Sequence, residues 1–460
     1  MVSLADKTTF ISSLPNELLL HIFELIPSGY DQQCRDFSAL AQVCQSFHAL
    51  ITPLLYRSFE NCCWKHMQSF GHTVLARQDR AALVKHFKGL QAHGVDAPKR
   101  AGCVEDWYRL HRPGDALVTA VRGQVSEANN PQHYIMDWEF IAGALACICP
   151  NLESLDCPDT SNFLLARIPA LLNGKVLSQA NSFQHVHTLS VSIETLPSFE
   201  MRSISLLFNM ASIRALTIRK GSLNLAMEEV LGHMSVSEYW LCEPRTSAVK
   251  ELAFEECHLP IDWITTAVMS CRKLEHFHYG CHWFNDKNVY PRLFHVLAHY
   301  KDSLQNIRIN ELQGCKKYSR DQLEPDQPLS FKDYGALTHV EIPLFLLAPK
   351  SRSRKIQDIF PPTVRVLNFD VRSAREGFSD AFFITLAEAA SDHLPSLKYV
   401  KVICRIEQFI RGAYIPLHFG CLRRMFSRYG VDFIYSLEYV ACEFKAGRTP
   451  TSTAHNYWKG

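Results

Sequence analysis

The chain has 460 residues, of which 47% are hydrophobic and 20% charged, and its formal net charge is +2. This length and apolar content allow a large buried core and exclude a disordered chain. The near-neutral charge gives no general attraction for nucleic acid or an anionic membrane, and no run reaches the roughly 18 apolar residues that span a bilayer. We therefore expect neither nucleic acid nor a membrane as a partner.

The N-terminus and the cysteines indicate a compartment. "MVSLADKTTF" lacks the basic and apolar segments of a secretory signal. The sixteen cysteines are irregularly spaced, and several lie in apolar runs such as "ALACICP" and "YVKVIC". This usage is typical of buried, reduced thiols, so we expect a cytoplasmic and/or nuclear protein.

The first predicted helix runs from about Leu14 to Ile26 in "SLPNELLLHIFELI". Pro15 suits a first helical turn, and Glu17 suits the positive end of the helix dipole. One apolar stripe, sufficient for the core of its own domain, comprises Leu18, Leu19, Ile22, Phe23 and Ile26. Further large apolar side chains lie beyond that stripe: Leu14, Leu20 and Leu25. We expect another protein to cover the surplus.

A second helical pattern follows in "DFSALAQVCQSFHALITPLLY", where apolar residues recur at steps of three and four until Pro53 ends the helix. The polar connector "PSGYDQQCRDF" is predicted as a loop. Two or three short helices are thus expected before residue 60.

These segments resemble the F-box, the helical module that docks onto Skp-type adaptors of cullin-based ubiquitin ligases. The resemblance rests on "LPNELLLHIFELI", "LAQVCQSFHAL" and "PLLYRSF", with Phe47 where the family often has Trp. It implies an adaptor-binding set of Leu14, Pro15, Leu18, Leu19, Ile22, Phe23, Val43, Cys44, Phe47, Leu50 and Leu55. It also implies a cullin and a RING subunit as indirect partners. The alternative is a helical cap on the rest of the fold, which leaves the motif order and the surplus apolar surface unexplained.

A six-residue motif, apolar-x-x-apolar-x-apolar, recurs ten times through the remaining chain, about every 32 residues. The copies are "LESLDC", "VHTLSV", "IRALTI", "VKELAF", "LEHFHY", "LQNIRI", "LTHVEI", "VRVLNF", "LKYVKV" and "LEYVAC". Helical patterns lie between copies, for example over 260–271 and 289–300. "LLYRSFE" and "AALVKHFKGL" predict two earlier strands, the second of them at an edge.

The repeat resembles irregular leucine-rich repeats, of the kind that follow an F-box in many substrate receptors. The fold class implied is α/β, with an all-α F-box followed by a solenoid that has a curved parallel sheet and outer helices. The predicted division is an F-box at 12–59, irregular first repeats with a long loop at 60–133, the solenoid at 134–446 and a tail at 447–460. At the turn position where the family favours Asn or Cys, only Cys257 matches.

The residues between the apolar motif positions should face the open side of the sheet, because side chains alternate along a strand. The predicted substrate-binding patch combines hydrogen-bonding, charged and aromatic groups. It consists of His276, His278, Asn306, Arg308, His339, Glu341, Tyr399 and Lys401. Ordinary solvated strand residues are the alternative for any one of them.

Other chemistry has weaker support. "CRKLEHFHYGCHW" holds Cys271, His276, His278, Cys281 and His282, but the spacing fits no closed zinc pattern. The basic run "KSRSRK", residues 350–355, suits a phosphate or nuclear import, but a solvated loop is the favoured interpretation because short basic runs are common. No phosphate-binding glycine loop or nucleophile elbow is present in the sequence, so we expect no catalytic residues, metal or cofactor.

The sequence therefore predicts a non-catalytic receptor that links an unknown protein substrate to a Skp-type adaptor and a cullin ligase. Two alternatives remain: an adaptor-bound scaffold without a role in degradation, and a metal-binding or enzymatic repeat protein.

Overall fold

The structure is a computed structural model that describes part of the chain. The described residues are 11, 14–26, 30–60, 70–71, 73–74, 76–88, 149–157, 184–192, 204–219, 236, 240–257, 259–281, 289–311, 329–347, 355–372, 380–407 and 419–440. Several predicted features lie outside them: the long loop at 91–133, the loop at 314–328, most of the basic run at 350–355, His282 and the tail at 447–460. The chain divides into two compact units, Met1–Val191 and Ser192–Gly460.

The first unit begins with three helices, α1 (Asn16–Glu24), α2 (Tyr30–Ala41) and α3 (Gln45–Arg57). Their shared core consists of Leu19, Phe23, Phe37, Phe47 and Ile51. The Phe23 and Phe47 rings meet edge to face with centroids 5.4 Å apart, which fixes α1 against α3. The predicted all-α start of the chain is confirmed.

Three details of the helical region differ from the prediction. Much of the polar connector is helical, because α2 already begins at Tyr30, and the single predicted helix is divided near Cys44. Pro53 does not end α3, which continues to Arg57. Proline disfavours a helix interior, but Ile51 is fully buried and Leu54 and Leu55 pack on the core around this point. Burial of these side chains therefore outweighs the local preference.

The remainder of the first unit contains a short helix, α4 (Gln78–Ala81), and four strands, β1 (Ser58–Glu60), β2 (His86–Lys88), β3 (Ser154–Cys157) and β4 (Thr188–Ser192). Neighbouring strands are parallel, with Phe59, Phe87, Leu155 and Leu189 in register. Strand β2 lies between β1 and β3, so its prediction as an edge strand was wrong.

The second unit has an α/β architecture. Its strands are β5 (Ala215–Arg219), β6 (Glu251–Cys257), β7 (His276–Cys281), β8 (Asn306–Glu311), β9 (His339–Pro343), β10 (Val366–Arg372), β11 (Tyr399–Glu407) and β12 (Asp432–Val440). Each pairs in parallel with the next. Its helices are α5 (Ile261–Ser270), α6 (Val289–Leu297), α7 (Asp380–Asp392) and α8 (Phe419–Arg428), with 3-10 turns at Ala298–Tyr300, Leu344–Leu346 and Ile356–Asp358.

The apolar motif positions form the core of the second unit. Phe277, Ile307, Val340, Leu367 and Val400 stand in register on successive strands, and each is at most 1% exposed. Helices contribute the opposite side of this core. Period-two alternation along each strand and periodic apolar residues on the intervening helices therefore explain the α/β fold.

Nine of the ten motif copies coincide with strands β3 to β11, and the tenth was misplaced. "LEYVAC" begins at Leu437, whereas β12 begins earlier, at Asp432, and pairs that residue with Tyr399. Cys257 ends β6 as a fully buried residue, and its thiol donates to the carbonyl oxygen of Ile218 at 3.2 Å. Among the described residues, no helix is both long and apolar enough to cross a bilayer.

Candidate binding surfaces

Helix α1 carries apolar residues on two faces. Leu19 and Phe23 are each 2% exposed and belong to the core, whereas their neighbours Leu18 and Ile22 are 51% and 39% exposed. The helix therefore presents large apolar side chains to solvent immediately beside those that stabilise it. Because exposing such side chains is unfavourable in water, the second face is a candidate contact surface.

The exposed large apolar residues of α1 and its flanking segments are together named the apolar strip. Leu18, Ile22 and Leu25 recur at helical steps of four and three, so they line one side of the helix. The strip consists of the exposed large apolar residues of this region: Ile11, Leu14, Leu18, Ile22, Leu25 and Val43. Val43 is 65% exposed and lies in the break between α2 and α3.

The structure separates the predicted adaptor-binding residues into two groups. Leu14, Pro15, Leu18, Ile22, Val43 and Cys44 are exposed. Leu19, Phe23 and Phe47 are buried, while Leu50 and Leu55 are half-buried against the same core. The buried group contributes by holding α1 and α3 together. Ile11 and Leu25 were missed as site residues, although the surplus position of Leu25 was visible from the helical spacing.

Cys44 has a local structural role as well as an exposed position. It is the N-cap of α3, where its sulfur accepts a hydrogen bond from the backbone N–H of Phe47 at 3.4 Å. Such a cap satisfies one of the N–H groups that a helix start leaves unpaired. Cys44 therefore fixes the start of α3 next to Val43.

The second candidate surface is the side of the sheet in unit 2 that alternates with the apolar core positions, here called the open face. The predicted substrate-binding residues occupy two registered rows on it. Row one consists of residues paired on successive strands, in the order His276, Asn306, His339, Val366 and Tyr399. Row two places His278, Arg308, Glu341, Asn368 and Lys401 on the same successive strands. The register thus brings the eight predicted residues together.

Ion pairs and hydrogen bonds link several members of row two. Arg308 Nε donates to Glu341 Oε1 at 3.0 Å, and Asn368 Nδ2 donates to Glu341 Oε2 at 3.4 Å. His278 Nδ1 lies 3.6 Å from Glu255 Oε1, and Arg219 Nε donates to Glu255 Oε2 at 2.8 Å. These contacts preorganise the row.

The electrostatic environment alters two titratable groups on this face. Hydrogen bonding from His278 and then from Arg219 lowers the pKa of Glu255 to about 2, against the opposing effect of burial. The pKa of His339 is lowered, mainly by burial and then by electrostatic interaction with Arg365 and His276. Glu255 is therefore a carboxylate and His339 neutral near pH 7.

The possible metal ligands do not converge within the described residues. Cys271 is fully buried, its thiol donates to the carbonyl oxygen of Ala267 at 3.6 Å, and burial raises its pKa. His276 and His278 instead lie on the open face. No group of three or more His, Cys, Asp or Glu residues that could hold a metal occurs in the described part of the chain.

Comparison with known families identifies the helical region alone. Residues 11–61 match the F-box-like family model. This matched segment contains α1 to α3, β1 and the whole apolar strip. The chain thus carries an F-box-like domain, a class associated with adaptor binding in ubiquitin ligases. No curated protein and no solved structure matches the chain.

Proposed function

We propose that this protein is a substrate receptor of a Skp/cullin/F-box ubiquitin ligase. Its F-box-like domain binds a Skp-type adaptor, and through it a cullin and a RING subunit. The open face of unit 2 binds the protein substrate. The chain itself is non-catalytic, and it contributes proximity and orientation to the partner enzymes, in the cytoplasm or nucleus.

The observation that carries this proposal is the apolar strip. An isolated domain of this size gains nothing from exposing Leu18, Ile22, Leu25 and Val43, whereas a partner that buries them gains about 25 cal/mol per Å² of apolar area removed from water. Apolar anchors at steps of three and four on one helix are typical of a helix that binds in an apolar groove.

The second unit supports the receptor reading through its repetition. Eight strands follow in chain order, each paired in parallel with the next, and each carries buried apolar residues that alternate with residues of the open face. We infer that these are leucine-rich repeats of an irregular kind, forming a solenoid. The buried thiol of Cys257, bonded to the backbone of the preceding strand, fits the turn role that such repeats give to Asn or Cys.

The open face supports substrate binding because it gathers different kinds of recognition group in registered rows. His276, Asn306 and His339 offer hydrogen bonds, Arg308 and Lys401 offer charge, and Tyr399 offers aromatic area. Interfaces draw most of their affinity from such mixed clusters, with Tyr and Arg prominent among the anchors. Several of these groups are already held by neighbours, which lowers the entropic cost of binding.

The direct test is a titration of the purified full-length chain with a Skp-type adaptor by calorimetry. The variant Leu18→Ala, Ile22→Ala removes two anchors of the strip, and Leu241→Ala removes a leucine that is 42% exposed in unit 2. We expect the double variant to weaken adaptor binding at least about tenfold, as interface anchors do. Leu241→Ala should bind as the native chain does.

The proposal fails if the folded native chain does not bind the adaptor, or if the double variant binds equally well. Circular dichroism establishes that both variants remain folded. In cells, the double variant should raise the abundance of bound substrates. Unchanged abundance together with lost adaptor binding would favour a scaffold that has no role in degradation.

A further inference from the structure

The charges on the open face are not evenly distributed between its two halves. On β5 to β7 most basic side chains are matched by carboxylates: Arg219 with Glu255 at 2.8 Å, and Lys250 and Lys273 with Glu275 at 3.2 and 2.7 Å. Arg214, just before β5, instead donates to the backbone carbonyl oxygen of Ala211 at 2.8 Å. These pairs leave little net charge in that half.

On β8 to β11 the balance is different. Among the residues whose side chains the structure describes, four basic residues occupy open-face positions or the residue just before a strand: Arg308, Arg365, Lys398 and Lys401. Arg308 is paired with Glu341. Within the described part of the chain, Arg365, Lys398 and Lys401 form no ion pair. This group of four is called the basic strip below.

The unpaired members of the basic strip lie close together. Lys398 donates its backbone N–H to the carbonyl oxygen of Arg365 at 2.9 Å, so these two residues are neighbours across β10 and β11. Lys401 stands in register with Asn368 on the same pair of strands. Adjacent strands are about 4.8 Å apart, so the backbones of these three basic residues lie within a width of two strands.

In the described part of the chain, the nearby carboxylates form no ion pairs with these three cations. Glu341 already accepts hydrogen bonds from Arg308 and Asn368. Asp370 is only 5% exposed, further along β10. Asp432, the first residue of β12, donates its backbone N–H to the carbonyl oxygen of Lys398 at 2.9 Å, but its side chain forms no ion pair with Lys398 among the described residues. Tyr399 lies between Lys398 and Lys401 and adds aromatic area.

We propose that the basic strip binds an acidic segment of a partner protein, rich in Asp and Glu, with carboxylates directed at Arg365, Lys398 and Lys401. The proposal rests on the proposed substrate-receptor function and specifies the chemistry of the substrate. Complementary charge accelerates encounter and excludes basic partners. The neutral His339 and Asn306 beside the strip supply hydrogen bonds to the peptide backbone, and Tyr399 supplies an apolar contact.

The test measures binding of a fluorescent glutamate-rich octapeptide to the full chain by anisotropy. Lys398→Glu, Lys401→Glu reverses two charges of the strip. Arg272→Glu, Lys301→Glu is the matched control, because it changes the net charge equally at two exposed residues outside the strands. We expect the first pair to weaken binding at least about tenfold and the control to change it less than about twofold, since a local charge acts mainly within a Debye length of about 10 Å at 0.1 M salt.

Further arms make the result specific. Lys398→Gln, Lys401→Gln should weaken binding less than charge reversal does. Raising the ionic strength to 1 M, which shortens the Debye length to about 3 Å, should abolish most of the binding. A lysine-rich octapeptide should not bind.

The proposal is overturned if the native chain does not bind the acidic octapeptide, or if both double variants lose binding equally. It is also overturned if an otherwise neutral peptide with one phosphoserine, or a single-stranded oligonucleotide, binds more tightly than the acidic octapeptide and depends on the same lysines. Adaptor binding is measured on the same preparations. A native chain that binds the adaptor but not the acidic octapeptide would refute this inference alone.

Discussion

The F-box-like domain and the second unit expose opposite kinds of surface. The apolar strip on α1 is a set of large apolar side chains in water, whereas the open face of unit 2 is polar, charged and hydrogen-bonded. The first surface gains from burial against one complementary groove. The second discriminates by charge and hydrogen bonds. These two chemistries suit the proposed division between a constant adaptor and a selected substrate.

The largest expected effect concerns the two sides of β10. Phe369 is fully buried and meets Phe383 at 5.5 Å and Phe382 at 5.7 Å, while its neighbour Asn368 lies on the open face. Phe369→Ala should reduce the free energy of unfolding by about 3 to 5 kcal/mol, because it leaves a cavity. Asn368→Ala should cost less than about 1 kcal/mol. Urea unfolding followed by Trp fluorescence measures both. Equal losses would contradict the assignment of the two sides.

A second pair of adjacent residues applies the same logic to α1. Leu19→Ala should destabilise the protein by about 2 to 5 kcal/mol, whereas Leu18→Ala should change stability by less than about 0.5 kcal/mol. In adaptor binding by the folded chain, we expect Leu18→Ala to have the clear effect. Thermal unfolding and calorimetric titration give the two measurements. An adaptor-binding defect that follows instability alone would oppose the separation into two faces.

The pH dependence of stability should report the polar network of the open face. The pKa of Glu255 is about 2 in the folded chain, below its usual value of 4.5, so its contribution is present above pH 4.5 and is lost as the pH falls towards 2. Glu255→Gln should therefore lose less stability than the native chain between pH 5 and pH 2. Urea unfolding across that range tests this prediction, and parallel pH profiles of native and variant would contradict it.

The smallest expected effect is at the end of α1. Arg57 lies 3.5 Å from Glu24, and both side chains are about half exposed, at 49% and 51%. Exposed pairs contribute at most about 1 kcal/mol, and Glu24→Gln should change stability by less than that. Adaptor binding should also be retained, because the strip is apolar. A large loss of binding would indicate that charge matters there too.

Much of the fold could be predicted from local pattern. Period-two alternation identified nine of the motif strands, and because neighbouring strands pair in register, it also placed the open-face residues in common rows. The tenth strand shows the limit: "VDFIYS" and "LEYVAC" both suit a strand, and only pairing of Tyr399 with Asp432 decides between them. Long-range register is not encoded in a single six-residue window.

The apolar strip was predictable in composition but not in orientation. Leu18 and Leu19 have the same hydropathy, and the sequence placed both on one stripe facing the core. The position of α3, fixed by the contact of Phe23 with Phe47, determines that Leu19 faces inward and Leu18 outward. The ion pairs of the open face also depend on neighbouring strands, so no local motif indicated the basic strip.

The central claim is that the chain uses separate surfaces for a constant and a selected partner. The most direct test measures the binding of both ligands by the native chain and by one variant of each surface. The native chain is titrated with the Skp-type adaptor and then with the acidic octapeptide, beside the variants Leu18→Ala, Ile22→Ala and Lys398→Glu, Lys401→Glu. We predict that the native chain binds both at once, that the first variant loses only the adaptor and that the second loses only the peptide. Loss of both ligands in one folded variant, or of neither in both, would contradict the account.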